Sequence, residues 1–116
     1  MRVQAEMRDA YASRARGNEG RARVCARRAV GMALAGHWSM GAGMNAYDLL
    51  LRAASSPGFA EGVREAAARL TVRVTEDHQL PHAEDPLGDA RLILVALGYT
   101  IAPDTDGRVA GDAQST

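Results

Sequence analysis

Residues 18–36, NEGRARVCARRAVGMALAG, leave a folding chain few alternatives to a helix with one close-packed side. At about 100° per residue, Ala22, Cys25, Ala26, Ala29, Met32, Ala33 and Gly36 fall into one narrow stripe of small residues. Arg21 and Arg28 border one edge of the stripe, and Arg23 and Arg27 border the other. Small side chains let a neighbouring helix approach closely, since the distance between helix axes follows the side chains at the contact. Val30 and Leu34 widen the apolar surface toward the C-terminal end, which is expected to be the more deeply buried. A helix over about 19–35 is therefore the element around which the other segments arrange themselves.

Those segments are also helical in period. Val3, Met7, Ala10, Tyr11 and Ala15 share one face, which predicts a first helix over residues 2–16. Gly17 suits a helix C-terminus, and Asn18 can cap the next helix, with Glu19 in its first turn. So short a connection makes the first two helices antiparallel neighbours. Residues 37–43, HWSMGAG, read as a break, either a loop or a hinge within a longer bent helix. Met44, Tyr47, Leu50, Leu51 and Ala54 mark a third helix with Asn45 as its cap. Phe59, Val63, Ala66, Ala67, Leu70 and Val74 mark a fourth over about 57–74, with Ser56 as cap and Pro57 at its first position. Glu61, Arg64, Glu65 and Arg69 are expected on its wet side. Asp85 and Pro86 start a last helix, which buries Leu87, Ala90, Ile93, Leu94 and Leu97 and ends at Gly98.

No stretch alternates apolar and polar residues long enough for a strand. Aromatic residues make up only 4% of the chain, so the core has to be built from Ala, Leu, Val and Met, which suits close-packed helices. The fold class is all-α, an up-down bundle of about four to five helices over residues 1–102, followed by a flexible tail over 103–116.

Charge narrows the range of functions. The net charge is zero, yet residues 1–38 hold eight arginines against three acids, and residues 39–116 hold six against eleven. Every basic residue other than histidine is arginine. A strongly basic nucleic-acid binder is not indicated by that balance, although arginine is the side chain best shaped for phosphate. Arg21, Arg23, Arg27 and Arg28 are the candidates for contact with an anion or nucleic acid; as edge residues of an apolar face they equally serve as packing stems. Cys25 is the only cysteine, which excludes an internal disulfide and suits a reducing compartment. The charged N-terminus is unlike a signal peptide, and no apolar run approaches the length of a membrane span, so a cytoplasmic location is expected.

Candidate chemistry lies in residues 73–85. His78 and His82 have the i, i+4 spacing of helical metal ligands, but Pro81 falls between them. A polar interhelix loop ending in the Asp85 cap is the preferred reading, with no metal and no cofactor. Arg73 and His78 suit metal-free RNA cleavage, with the histidine moving a proton and the arginine balancing charge on phosphate oxygens. On a continuous helix they would point about 140° apart. They converge only if the helix breaks between them or a second subunit supplies one of the two.

The first helix, the GNEG turn and the second helix GRARVCARRAVGMAL resemble small prokaryotic HEPN-type domains. The later runs RLTVRV and LPHAEDPLGDARLIL are similar to uncharacterised bacterial members of that group, so the likeness covers roughly residues 1–98. The resemblance implies a helical bundle that forms a homodimer. It also implies either an RNase with an R-x(4–6)-H motif, matched here by Arg73 and His78, or a nucleotide- or RNA-associated accessory that partners a nucleotidyltransferase. The alternative is a non-catalytic module for dimerisation or interaction, using the small-residue stripe or a Leu50 and Leu51 surface. A histidine-based metal-binding domain is a third alternative.

Overall fold

The computed structural model describes residues 2–40, 45–71 and 85–101. These form five helices and, among the described residues, no strand: α1 (Arg2–Ala15), α2 (Glu19–His37), α3 (Ala46–Ala54), α4 (Glu61–Leu70) and α5 (Pro86–Ala96).

Local chemistry accounts for most of the helix ends. Gly17 takes a φ of +82°, where a side chain would be strained, and lets the Asn18 N–H donate back to the Ser13 carbonyl at 2.8 Å. Asn18 then accepts from the Arg21 N–H, Asn45 from that of Asp48 and Asp85 from that of Leu87. Each cap satisfies a donor that a helix start leaves without an internal partner.

Three boundaries depart from the expectation of periodicity, one of them the end of α4 at Leu70 instead of about residue 74. α2 passes through Gly36 to His37 and ends there, with Trp38 as its C-cap and Ser39 at a φ of +55°. The bent continuous helix is therefore ruled out, and residues 41–43 of the expected break lie outside the described residues. α4 begins at Glu61, not at Pro57. The Ser56 hydroxyl donates to the Arg52 carbonyl at 2.7 Å, so it finishes α3 instead of capping α4. Pro57 and Gly58 fall in a turn, and Ala60 precedes α4 without a side-chain cap.

α1 and α2 form an antiparallel hairpin. Arg14 near the end of α1 meets Glu19 at the start of α2, and Glu6 earlier in α1 meets Arg28 further along α2. α2, α3, α4 and α5 then pack in a ring, each against the next, with α5 returning to α2. α1 lies outside the ring against α2 and also reaches α5. α2 thus has neighbours on three sides, as its small residues require.

The core is aliphatic. Met7, Val30, Leu34, Leu49, Leu50, Leu70, Leu87, Ile93 and Leu94 are its largest apolar members, with alanines between them, and no aromatic ring is fully buried among the described residues. Cys25 is buried within it. The expected stripe of α2 is rotated toward α3: Val30, Gly31 and Leu34 are buried, while Met32 is half-buried and Gly36 is exposed. Gly31 explains the rotation, because a Cβ there would stand 2.9 Å from the Cβ of Ala46, so α3 starts directly against α2.

Two ion-pair clusters tie the elements together. Arg69 of α4 donates through Nε and Nη2 to the carboxylate of Asp89 in α5 at 2.9–3.2 Å. Asp89 is only 7% exposed, so Arg69 is not the wet-face residue that periodicity suggests. Arg14 holds Glu19 at 2.6 Å and Asp85 at 2.7 Å, joining the α1–α2 turn to the start of α5. Both carboxylates raise its pKa further above the ordinary guanidinium value. Burial pushes the Asp85 carboxyl up, but the Arg14 bonds and the N–H groups of Leu87 and Gly88 outweigh it and hold it below the usual range.

Candidate functional site

The four arginines of α2 fall on two sides of its outer face. Arg21 is exposed, and Arg28 lies toward α1, where it reaches Glu6 at 3.3–3.4 Å. Arg23 and Arg27 are half-buried, Arg27 beside Ala46 at the start of α3. Burial, and then the like charge of Arg27, lower the pKa of Arg23. Side-chain stems along the border and charged heads at the surface are the arrangement expected of amphipathic edge residues.

Between the two pairs stands Val24, which is 47% exposed. With Arg27, Arg28 and Ala46 it lines an open groove of about 270 Å³ between α2 and the first turn of α3. On α3, Tyr47 is 43% exposed and Leu51 44% exposed, one turn apart. Leu50 is fully buried. Of the anticipated Leu50 and Leu51 surface, Leu50 turns in and Leu51 faces out, with Tyr47 exposed one turn before it. The small-residue stripe, the other anticipated dimer face, is excluded because Ala22, Cys25, Ala26, Ala29 and Ala33 are all within 2% of complete burial inside the bundle.

Tyr47 was legible only as a member of the α3 helical face. Val24 lies between the arginines of a basic-looking stretch and carries no periodic signal of its own. A second outward pair, Leu92 and Val95 of α5, was hidden because that helix is apolar on nearly every side.

Sequence reasoning also missed an aromatic cluster at the C-terminal ends of α2 and α3. The rings of His37, Trp38 and Phe59 lie 5.5–5.9 Å apart between centroids, and the Arg52 guanidinium sits 4.4 Å from the Trp38 ring centroid. Arg52 also donates to the Met40 sulfur at 3.4 Å. The rings pack on one another and leave no slot for a ligand between them. Cations suit this end of the molecule because two helix C-termini meet there. The cluster is a clasp that joins the end of α2 to α3 and to the turn before α4.

Arg73, His78 and His82 lie outside the described residues, as does the tail from 103 onward. Among the described residues, no group of three His, Cys, Asp or Glu side chains is placed to hold a metal ion. No described helix is long and apolar enough to cross a membrane. The chain matches no known protein family, no characterised protein and no solved structure.

Proposed function

We propose that this chain is a helical interaction domain of HEPN-like kind, an accessory that works by docking a partner. One observation carries this reading: the outer surfaces of α2 and α3 leave large apolar side chains in solvent, Val24 in a groove that Arg27, Arg28 and Ala46 also line, and Tyr47 and Leu51 one turn apart on α3. Side chains of this size contribute about 1.5–3 kcal/mol each when fully buried, so their exposure is a standing incentive to bind. Site-specific photo-crosslinking tests it. A benzophenone amino acid placed at Tyr47 or Leu51 is expected to give a discrete adduct in the native host, whereas the same group at exposed Ala12 of α1 gives none. Equal patterns at all three positions would remove the exposed face of α3 as the working surface.

A second reading, contact with RNA or a nucleotide, draws on the half-buried Arg23 and Arg27 at the edge of α2, since a guanidinium is shaped for phosphate. Binding of an oligoribonucleotide that falls steeply with salt and weakens in Arg23→Ala supports it. If the chain cleaves RNA, Arg73 and His78 are the residues proposed to do so. RNase activity that survives His78→Ala would end that assignment.

A further inference from the structure

We propose that the Met40 sulfur is an oxidation site, and that its sulfoxide draws the Arg52 guanidinium off the Trp38 ring and so resets the clasp at the ends of α2 and α3.

The sulfur atoms of the described residues are not alike. Cys25 and Met7 are sealed in the core, at 0% and 1% exposure. Met32 and Met40 are half-buried. Of these two, Met40 is the one whose sulfur a guanidinium bonds: Arg52 Nη1 donates to it at 3.4 Å. Met40 lies just past the end of α2, where its backbone N–H donates to the Ala35 carbonyl at 2.8 Å, so the main chain holds it beside the clasp.

Arg52 is placed to change partners. It is exposed and, among the described residues, joins no carboxylate. Its two contacts are both of the weaker kind, a thioether sulfur and the face of Trp38, whose centroid is 4.4 Å from the guanidinium carbon.

The oxidant is a peroxide. A sulfur lone pair attacks one peroxide oxygen, and the S–O bond forms as the O–O bond breaks. The departing hydroxide takes the proton of the transferred hydroxyl and leaves as water. The sulfur loses two electrons and the peroxide gains them. The product is a polar sulfoxide on a side chain that packs partly against the aliphatic core. Its oxygen is poorly placed among those neighbours, and three rotatable bonds let the side chain turn it toward the surface. Arg52 is the donor already there, and the oxygen is a better acceptor than either contact it replaces. Trp38 then keeps only its neighbours His37 and Phe59, at 5.8 and 5.9 Å between centroids.

Trp38 is the only tryptophan, so its fluorescence reports on the clasp directly. The test treats the full chain with hydrogen peroxide and follows Trp38 emission together with fragment-level mass mapping. Met40 is expected to gain one oxygen, and the emission to shift in step with that gain. Methionine sulfoxide reductases, which leave an oxidised indole untouched, are expected to restore it. Met40→Leu, a swap of similar volume, is expected to lose the shift although other methionines still oxidise. Arg52→Ala is expected to lose the shift while Met40 still gains its oxygen. Circular dichroism checks the helix content of each variant; if Arg52→Ala does not fold, Arg52→Leu takes its place as an aliphatic stem without the charge.

A shift that survives in Met40→Leu would overturn the proposal, because the signal would belong to another residue. So would a Met40 that stays reduced while Met32 oxidises, or an oxidised Met40 that leaves Trp38 emission unchanged. A shift retained in Arg52→Ala would remove the transfer of the guanidinium.

Discussion

Arginine does two different jobs on opposite sides of this bundle. On the α4–α5 side, Arg69 grips a carboxylate that is almost wholly buried and acts as a bolt between two helices. On the α2–α3 side, Arg27 and Arg28 flank a groove whose apolar residues remain exposed. The residue type is the same, and the distance to a buried acid decides its role. A guanidinium facing a buried carboxylate is part of the fold, because removing it strands a charge away from water. A guanidinium beside exposed aliphatic side chains shapes the surface, because its charged head stays in water.

The contrast breaks first at Arg69. Arg69→Ala leaves Asp89 a buried carboxylate without its ion-pair partner and is expected to lower stability by about 3 kcal/mol in urea unfolding. A loss below half of that would mean that Asp89 finds water, and the bolt would be no different in kind from a surface pair. Gly31→Ala ranks next. Its new Cβ would stand 2.9 Å from that of Ala46, and the overpacking is expected to cost about 2 kcal/mol in thermal unfolding. Because the first turn of α3 must shift, the groove should change shape and crosslinking at Tyr47 should fall.

Asp85 comes third. Asp85→Ala removes the α5 cap and one partner of Arg14, for an expected loss of about 1 kcal/mol near neutral pH. The folded state holds its pKa below the ordinary value of 3.8, so the contribution is present above that value and disappears as pH falls through the lower folded one. Variant and parent should therefore converge in stability in strong acid. A gap that persists there would assign the effect to packing instead of charge.

The smallest effect on stability is expected from Leu51→Ser, within about 0.5 kcal/mol, since the side chain is already half in water. Its effect on docking should be the largest of the four. Unfolding by more than 2 kcal/mol would show that Leu51 belongs to the core and would erase the comparison.

Some of this could be read before the structure, and the division follows the range of the forces. The caps Asn18, Asn45 and Asp85 were legible because a side-chain oxygen reaching an N–H two or three residues ahead is a local event. Ser56 misled for the same reason: its hydroxyl had equal local access to the end of α3, and the Arg52 carbonyl took it. Arg73 and His78, the pair proposed for RNA cleavage, fall outside the described residues, so that part of the sequence reading stands as a proposal.

By itself the sequence determined that the chain is all-α, roughly where its helices lie, and that its core is aliphatic, since helical period, capping chemistry and a scarcity of aromatic residues all act within a few positions of the chain. Only the tertiary structure decided which side of α2 faces out, that Leu50 turns in while Leu51 turns out, that Arg69 meets a buried Asp89, and that Arg27, Arg28 and Val24 share a groove with Ala46. Those outcomes depend on which helix lies against which, and that is set by packing between residues far apart in the chain, as at Gly31 and Ala46, where the lack of a single Cβ brings two helices together.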